Sequence, residues 1–166
     1  EFSQWDIDIL GSDSPEADAE IITIAAGFYE KIGLTPKEVK IKINDRKFFE
    51  EKLVEIGIPK NKIIPIFKII DKKAKVSPPT FKIMLTDAGL SDQIIKRLNA
   101  LLNDKQSYLE SEWLKKIFTL LKIYEVDQYV EFDASIVRGL DYYTRTVFEG
   151  WDVSGSLRAI FGGGRY

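Results

Sequence analysis

The side chains best suited to chemistry cluster around Gly139. Arg138 supplies a permanent cation whose planar donors match a carboxylate or a phosphate. Tyr142 and Tyr143 follow at once and offer flat walls with hydrogen-bonding tips. Together they suit a small anionic ligand that carries a ring. A second set lies near the start, where Gln4, Asp6 and Asp8 alternate with Trp5, Ile7 and Ile9. If the polar side of that run is covered, an amide and two carboxylates can hold an amino group or a ring N–H. If it is solvated, the run is the exposed side of an antiparallel sheet. Likewise, strand tyrosines commonly pack, and loop arginines are commonly solvated.

Composition narrows the chemistry. With 0 Cys and 0 His the chain has no disulfide, thiolate nucleophile, imidazole base or ordinary zinc site, and no protein-held metal is expected. Catalysis must then rest on orientation, carboxylates or cationic stabilisation. A net charge of -2 gives no global field for nucleic acid. Six lysines between Lys60 and Lys75 are a local exception, read as a solvated helix face or as a contact with RNA phosphate. No apolar run is long enough to span a bilayer.

The elements that must position these residues follow from periodicity. Phe2–Leu10 alternates as a strand. Ser14-Pro15 starts a helix that runs to about Ile32 and ends at Gly33, with Glu16, Asp18 and Glu20 read as structural. Val39, Ile41 and Ile43 mark a strand, and Asn44-Asp45 caps a helix from Arg46 to about Glu55. Pro59 to about Tyr124 reads as a run of helices, with Ser77-Pro78 and Ser91 as starts and Trp113, Ile117, Leu120 and Leu121 on the last apolar stripe. Strands return at Val130–Phe132, over Tyr142–Phe148 and over Leu157–Phe161, before Gly162-Gly163-Gly164. The triple glycine lacks the Walker or Rossmann spacing and permits close backbone approach. The fold class is α+β, with a helical run set between two pieces of a sheet.

Three stretches resemble one family. Arg138–Glu149, reading RGLDYYTRTVFE, resembles the first histidine-specific motif of the histidyl-tRNA synthetases, and Phe161–Tyr166, reading FGGGRY, resembles the second. Glu1–Gly11 resembles the end of class II synthetase motif 2 in its histidine-specific form. The Asn44–Lys47 and Asp71–Lys73 regions resemble the archaeal and eukaryotic branch. The resemblance implies part of a class II antiparallel sheet with flanking helices. Residues 1–57 and 126–166 would be two parts of a catalytic domain, and 58–125 a helical insertion domain.

It also implies a histidine–tRNA ligase: ATP-dependent activation of L-histidine to histidyl-adenylate, then transfer to tRNA(His). On that pattern Arg138 bridges the histidine carboxylate and the α-phosphate, and Gln4 holds the α-amino group. Asp8 and Tyr143 bond the imidazole, Tyr142 lines it and Tyr166 closes the pocket. ATP with its Mg2+, L-histidine and tRNA(His) are the implied ligands, with a homodimer and a cytoplasmic location. Two alternatives share the motifs less completely or not at all. One is a non-catalytic regulator, such as the regulatory subunit of ATP phosphoribosyltransferase or a stress-kinase sensor domain. The other is an α+β domain whose insertion only binds RNA. The family's motif 1, motif 2 arginine, motif 3 and anticodon-binding domain have no counterpart in these residues. The expectation is an internal fragment, and the 166-residue chain alone should show negligible histidine-dependent ATP–pyrophosphate exchange. Robust exchange by the purified chain would count against it.

Overall fold

The structure, a computed structural model, describes residues 1, 4–157 and 159–166. Helix α1 (Pro15–Lys31) begins where expected, with Ser14 ahead of Pro15, and stops at Gly33. Gly33 adopts φ +83, a conformation that a side chain resists. Ile22, Ala26 and Tyr29 turn their faces inward. The Tyr29 hydroxyl is buried without a partner among the described residues, and burial pushes its pKa up to about 12.

Strand β1 (Val39–Asp45) runs directly into helix α2 (Arg46–Glu55). The Asp45 carboxylate accepts from the Lys47 N–H at 3.0 Å, the cap that its residue type predicts. The helical run continues through α3 (Ile63–Ile70), α4 (Pro78–Asp87), α5 (Asp92–Asn103) and α6 (Glu112–Ile123). The Ser77, Ser91 and Ser111 side chains each cap the helix that follows. Strands β2 (Val130–Phe132), β3 (Thr146–Asp152) and β4 (Phe161–Gly164) complete a sheet of order β2-β1-β3-β4.

The sheet is antiparallel at β1–β3 and β3–β4 and parallel at β1–β2. A parallel return needs a long crossover, and α2 to α6 supply it. Ile43 pairs with Phe132 on one side and Phe148 on the other, which fixes the register around the centre of β1. One continuous core joins sheet and helices, from Ile41 and Ile43 through Phe49 and Ile66 to Leu85, Leu98 and Ile117. Within the helical run, α3, α4 and α5 pack in succession, whereas α6 lies along α1 and against β1.

Three sequence expectations need correction. The strand expected over Tyr142–Phe148 is β3 at Thr146–Asp152, so Tyr142 and Tyr143 lie in the loop before it. Gln4–Leu10 is not a strand; it joins no ladder, and Phe2 lies outside the described residues. Alternation says which side chains share a face but does not supply a neighbour for the backbone groups. Trp5 rests against Phe28 of α1 at 5.2 Å between ring centroids and remains 59% exposed. The last strand is also shifted: β4 is Phe161 with the glycine run, and among the described residues Leu157, Ala159 and Ile160 precede it outside any strand.

Asp133 shapes the turn after β2. Its Oδ1 accepts from the Ser135 N–H at 3.0 Å and hydroxyl at 2.6 Å, while Oδ2 faces Lys42 at 3.5 Å and Lys105 at 3.4 Å. Burial opposes ionisation, but the Ser135 bonds and the two lysines outweigh it and hold the carboxyl below its ordinary range. A depressed carboxylate pKa stabilises the fold above the unfolded value of about 4 and loses that contribution as pH falls through the folded value. Asp133→Asn should therefore cost about 1–3 kcal/mol at pH 7 and progressively less towards pH 2. Denaturant titrations at both pH values check this; a difference that does not change with pH would refute it.

Candidate functional site

A cleft of about 1210 Å³ lies between the 4–12 segment, one face of α1, the loop after Val137 and strand β4. Gln4, Asp8, Arg138, Tyr142, Tyr143 and Tyr166 all line it. The two chain segments that carry the suggestive residues, far apart in sequence, therefore face one space.

Arg138 occupies φ 53, an unusual conformation for a residue with a side chain, and so turns the chain sharply ahead of Gly139. Its Nη1 donates to Glu149 Oε1 at 2.6 Å, and the other carboxylate oxygen accepts from Trp151 Nε1 at 3.0 Å. Burial disfavours the Arg138 charge, but Glu149 more than compensates and raises its pKa. The Arg138 Nε is buried without a partner among the described residues. The guanidinium is thus held at one corner, with hydrogen-bonding capacity left over.

The triple glycine makes room for the chain's own side chains. A Cβ on Gly162 would meet Arg138 Nη1 at 2.4 Å, and one on Gly163 would meet the Phe148 ring at 2.5 Å. At Gly164 it would meet Tyr143 and Val147 at 2.8 Å and the Thr146 carbonyl at 2.9 Å. Arg138 therefore lies flat across β4, in a place only glycine leaves open. The phenols form a cluster: Tyr142 and Tyr143 ring centroids are 4.5 Å apart, and Tyr166 meets Tyr142 edge-on at 6.4 Å. Burial and the bond to Tyr142 raise the Tyr143 pKa, with Arg138 pulling the other way. Tyr166 donates to Asp8 Oδ1 at 3.0 Å, and that bond keeps its hydroxyl protonated to higher pH. Gln4 Nε2 donates to Asp6 at 3.0 Å, which leaves the amide oxygen available to accept.

Residues outside the expected set hold this arrangement. Asn44, fully buried, donates from Nδ2 to the Ala134 and Ile136 carbonyls, both at 3.1 Å. Arg46 donates from Nη1 to the Leu140 carbonyl at 2.5 Å. Asp45 accepts from Arg145 at 3.3 Å; burial raises its pKa and Arg145 opposes that. Below the cleft, the Arg145 guanidinium lies 3.6 Å from the Trp113 ring centroid and Arg165 lies 5.5 Å from it. Asp18 ties these parts together: it accepts from Trp113 Nε1 at 3.0 Å, Thr146 Oγ1 at 2.6 Å and Arg165 Nη2 at 2.7 Å. Arg165 also donates to the Ser12 and Ser14 carbonyls at 2.7 and 2.8 Å, anchoring the segment that leads from the cleft into α1.

Asp18 is thus structural, as its place in the first helical turn suggested. Glu149 and Arg46 fall within the resembling stretches, but sequence reasoning assigned neither a part in forming the site. The unusual density of polar residues at the end of a buried strand, Asn44-Asp45-Arg46, was the available hint. Half of the lysine cluster is engaged within the chain: Lys62 with the Ala88 carbonyl, Lys68 with Asp141 and Lys75 with Asp71.

The antiparallel-centred sheet flanked by helices has the fold of a class II aminoacyl-tRNA synthetase catalytic domain, the fold of its structural neighbours. Within that class the chain belongs to the histidyl-tRNA synthetase family, whose model, described as "Histidyl-tRNA synthetase", matches residues 1–166. It is 38% identical to the chloroplastic/mitochondrial histidine–tRNA ligase of Arabidopsis thaliana, over 100% of this chain and 36% of the relative. Against the histidine–tRNA ligase of Picrophilus torridus the identity is 38%, over 100% of this chain and 42% of the relative. The chain therefore spans about two-fifths of the length of these relatives. Among solved structures it is similar to the histidyl-tRNA synthetase of a Nostoc species, with a TM-score of 0.78 and 25% identity over 93% of this chain and 41% of that one. An ATP phosphoribosyltransferase regulatory subunit/histidyl-tRNA synthetase from Bacillus halodurans shares the fold, with a TM-score of 0.72 and 23% identity over 94% of this chain and 44% of that one. No helix among the described residues is long and apolar enough to cross a membrane.

The glycine contacts separate two kinds of damage. Gly162→Ala meets the movable end of an arginine, so it should leave the thermal midpoint within about 2 °C and shift the Arg138 Nε–Hε NMR resonance. Gly163→Ala meets an aromatic ring in the sheet and should cost about 1–3 kcal/mol. Equal stability losses in the two variants would contradict this reading.

Proposed function

We propose that this segment forms the histidine-binding side of a histidine–tRNA ligase active site. The observation that carries the proposal is that Arg138, Gln4, Asp8, Tyr142, Tyr143 and Tyr166 line one cleft, with Arg138 anchored at one corner and its Nε unpartnered. L-Histidine has an anion, a cation and a ring with two nitrogens, and the cleft offers a complement to each.

In the proposed reaction the histidine carboxylate attacks the α-phosphate of ATP and pyrophosphate leaves. Arg138 bridges carboxylate and phosphate and neutralises charge that builds in the transition state. Glu149 fixes the guanidinium, so little reorganisation is required at the moment of reaction. The Gln4 amide oxygen accepts from the α-ammonium. Asp8 and Tyr143 bond the imidazole, Tyr142 lines it, and Tyr166 closes the pocket while orienting Asp8. A ring lacking either nitrogen would leave Asp8 or Tyr143 without that partner, which disfavours it. No group of three acidic residues among the described ones gathers closely enough to hold a metal. Mg2+ commonly binds through one or two carboxylates and substrate phosphates, and would accompany ATP. Transfer to tRNA(His) and assembly as a homodimer belong to the whole ligase in this proposal.

A regulatory reading draws on the fold shared with the regulatory-subunit structure. The complete polar complement in the cleft favours the ligase. In the longer protein that carries this segment, Arg138→Ala should lower histidine-dependent ATP–pyrophosphate exchange by about 10²-fold or more. Histidine binding, read by calorimetry, should weaken less. A regulator would show histidine binding without exchange even before substitution. Unchanged exchange in the Arg138→Ala protein would overturn the proposal.

A further inference from the structure

The residues from Asp133 to Arg145 join β2 to β3 without belonging to either strand. Such a connection is ordinarily mobile, yet Arg138 within it holds φ 53, a conformation that costs of order 1 kcal/mol or more and persists only where surroundings enforce it. Asn44 fixes the first part of the loop through the Ala134 and Ile136 carbonyls. Something must fix the part beyond Arg138.

Its far end is tied by the Thr144 N–H to the Arg165 carbonyl at 2.8 Å and by Arg145 to Asp45 at 3.3 Å. Over residues 139–141, two side chains among the described residues bond it. Lys68 of α3 pairs with Asp141 at 3.0 Å, but the side chains are 52% and 58% exposed, and such pairs contribute little. Arg46 is different. The residue is 4% exposed, and its Nη1 donates to the Leu140 carbonyl at 2.5 Å. Its guanidinium sits 4.9 Å from the centroid of the Phe67 ring on α3, and Phe67 stacks on Phe49 of α2 at 6.0 Å. The Arg46 N–H also bonds the Arg145 carbonyl at 3.0 Å, at the far end of the same loop. A buried, stacked guanidinium gives up little further freedom when it grips a carbonyl, and a lysine cannot reproduce the stacking.

We propose that Arg46 is a positioning residue for the Arg138 loop, and that through Phe67 it makes the direction of Arg138 depend on how α3 sits against α2. The inference rests on the ligase reading for its effect on activity, but not for its effect on the loop. It gives the helical run a part in histidine activation, although none of its side chains, Arg46 included, need approach the substrate.

The test uses the longer protein that carries this segment, with Arg46→Met, Arg46→Lys and Phe67→Leu. Arg46→Met should lower kcat for histidine activation about 10–100-fold, the loss of one hydrogen bond from a charged donor, with KM for ATP unchanged. Arg46→Lys keeps a donor and should recover part of that loss; Phe67→Leu should fall between. Amide hydrogen exchange of residues 139–143 should quicken about tenfold or more in Arg46→Met, while β1 and β3 keep their protection. Wild-type activity together with wild-type loop exchange would overturn the proposal. So would loop exchange that rises only in step with β1 and β3, which marks general destabilisation. Should Arg46→Met fail to fold, the other two variants carry the same readouts. If Arg138→Ala leaves activation intact, the ligase reading falls, while loop exchange still decides whether Arg46 holds the loop.

Discussion

The cleft depends on how strand β1 ends. Asn44, Asp45 and Arg46 are consecutive, buried and polar, and each grips a different part of the connection between β2 and β3. Buried polar groups are costly unless paired, so side chains placed here hold their partners firmly or destabilise the fold. Asn44 binds the loop before Arg138, Arg46 binds it just after, and Asp45 binds Arg145 while also capping α2. One short stretch thus ends a strand, starts a helix and sets a loop that lies about ninety residues further on.

Strand β4 serves the same end by subtraction. Its glycines leave space that Arg138, Phe148 and Tyr143 occupy. Had the strand carried ordinary side chains, Arg138 could not lie across it as it does. A glycine run beside a proposed nucleotide-binding reaction invites a phosphate-cradle reading. Here the glycines are explained by packing within the chain.

Helices were legible where caps and periodicity agreed. Ser77, Ser91 and Asp45 cap as their types predict, and Gly33 ends α1. β1 and β2 were legible because both faces alternate within a packed sheet. Gln4–Leu10 misled because alternation implies a face without providing a pairing partner. Arg138, Tyr142 and Tyr143 were visible as a cluster from residue type alone, and motif resemblance joined Gln4, Asp8 and Tyr166 to them. Their shared cleft bears on that grouping, whereas each residue's contact with histidine remains the substance of the proposal. Glu149 and Arg46 were not legible, since an acid in a strand and a cation at a helix start have ordinary surface roles. Their importance comes from partners brought close only by the sheet.

The bond between Asp18 and Arg165 closes 147 residues of chain. It also holds Ser12 and Ser14, and with them the near wall of the cleft, to the far end of the sheet. Closing so wide a loop is entropically unfavourable until the intervening parts have folded. Trp113 of α6 lies against both Arg145 and Arg165. The cleft is therefore a long-range product of the chain: its near wall keeps its place only while α1, α6 and the glycine strand stay docked together.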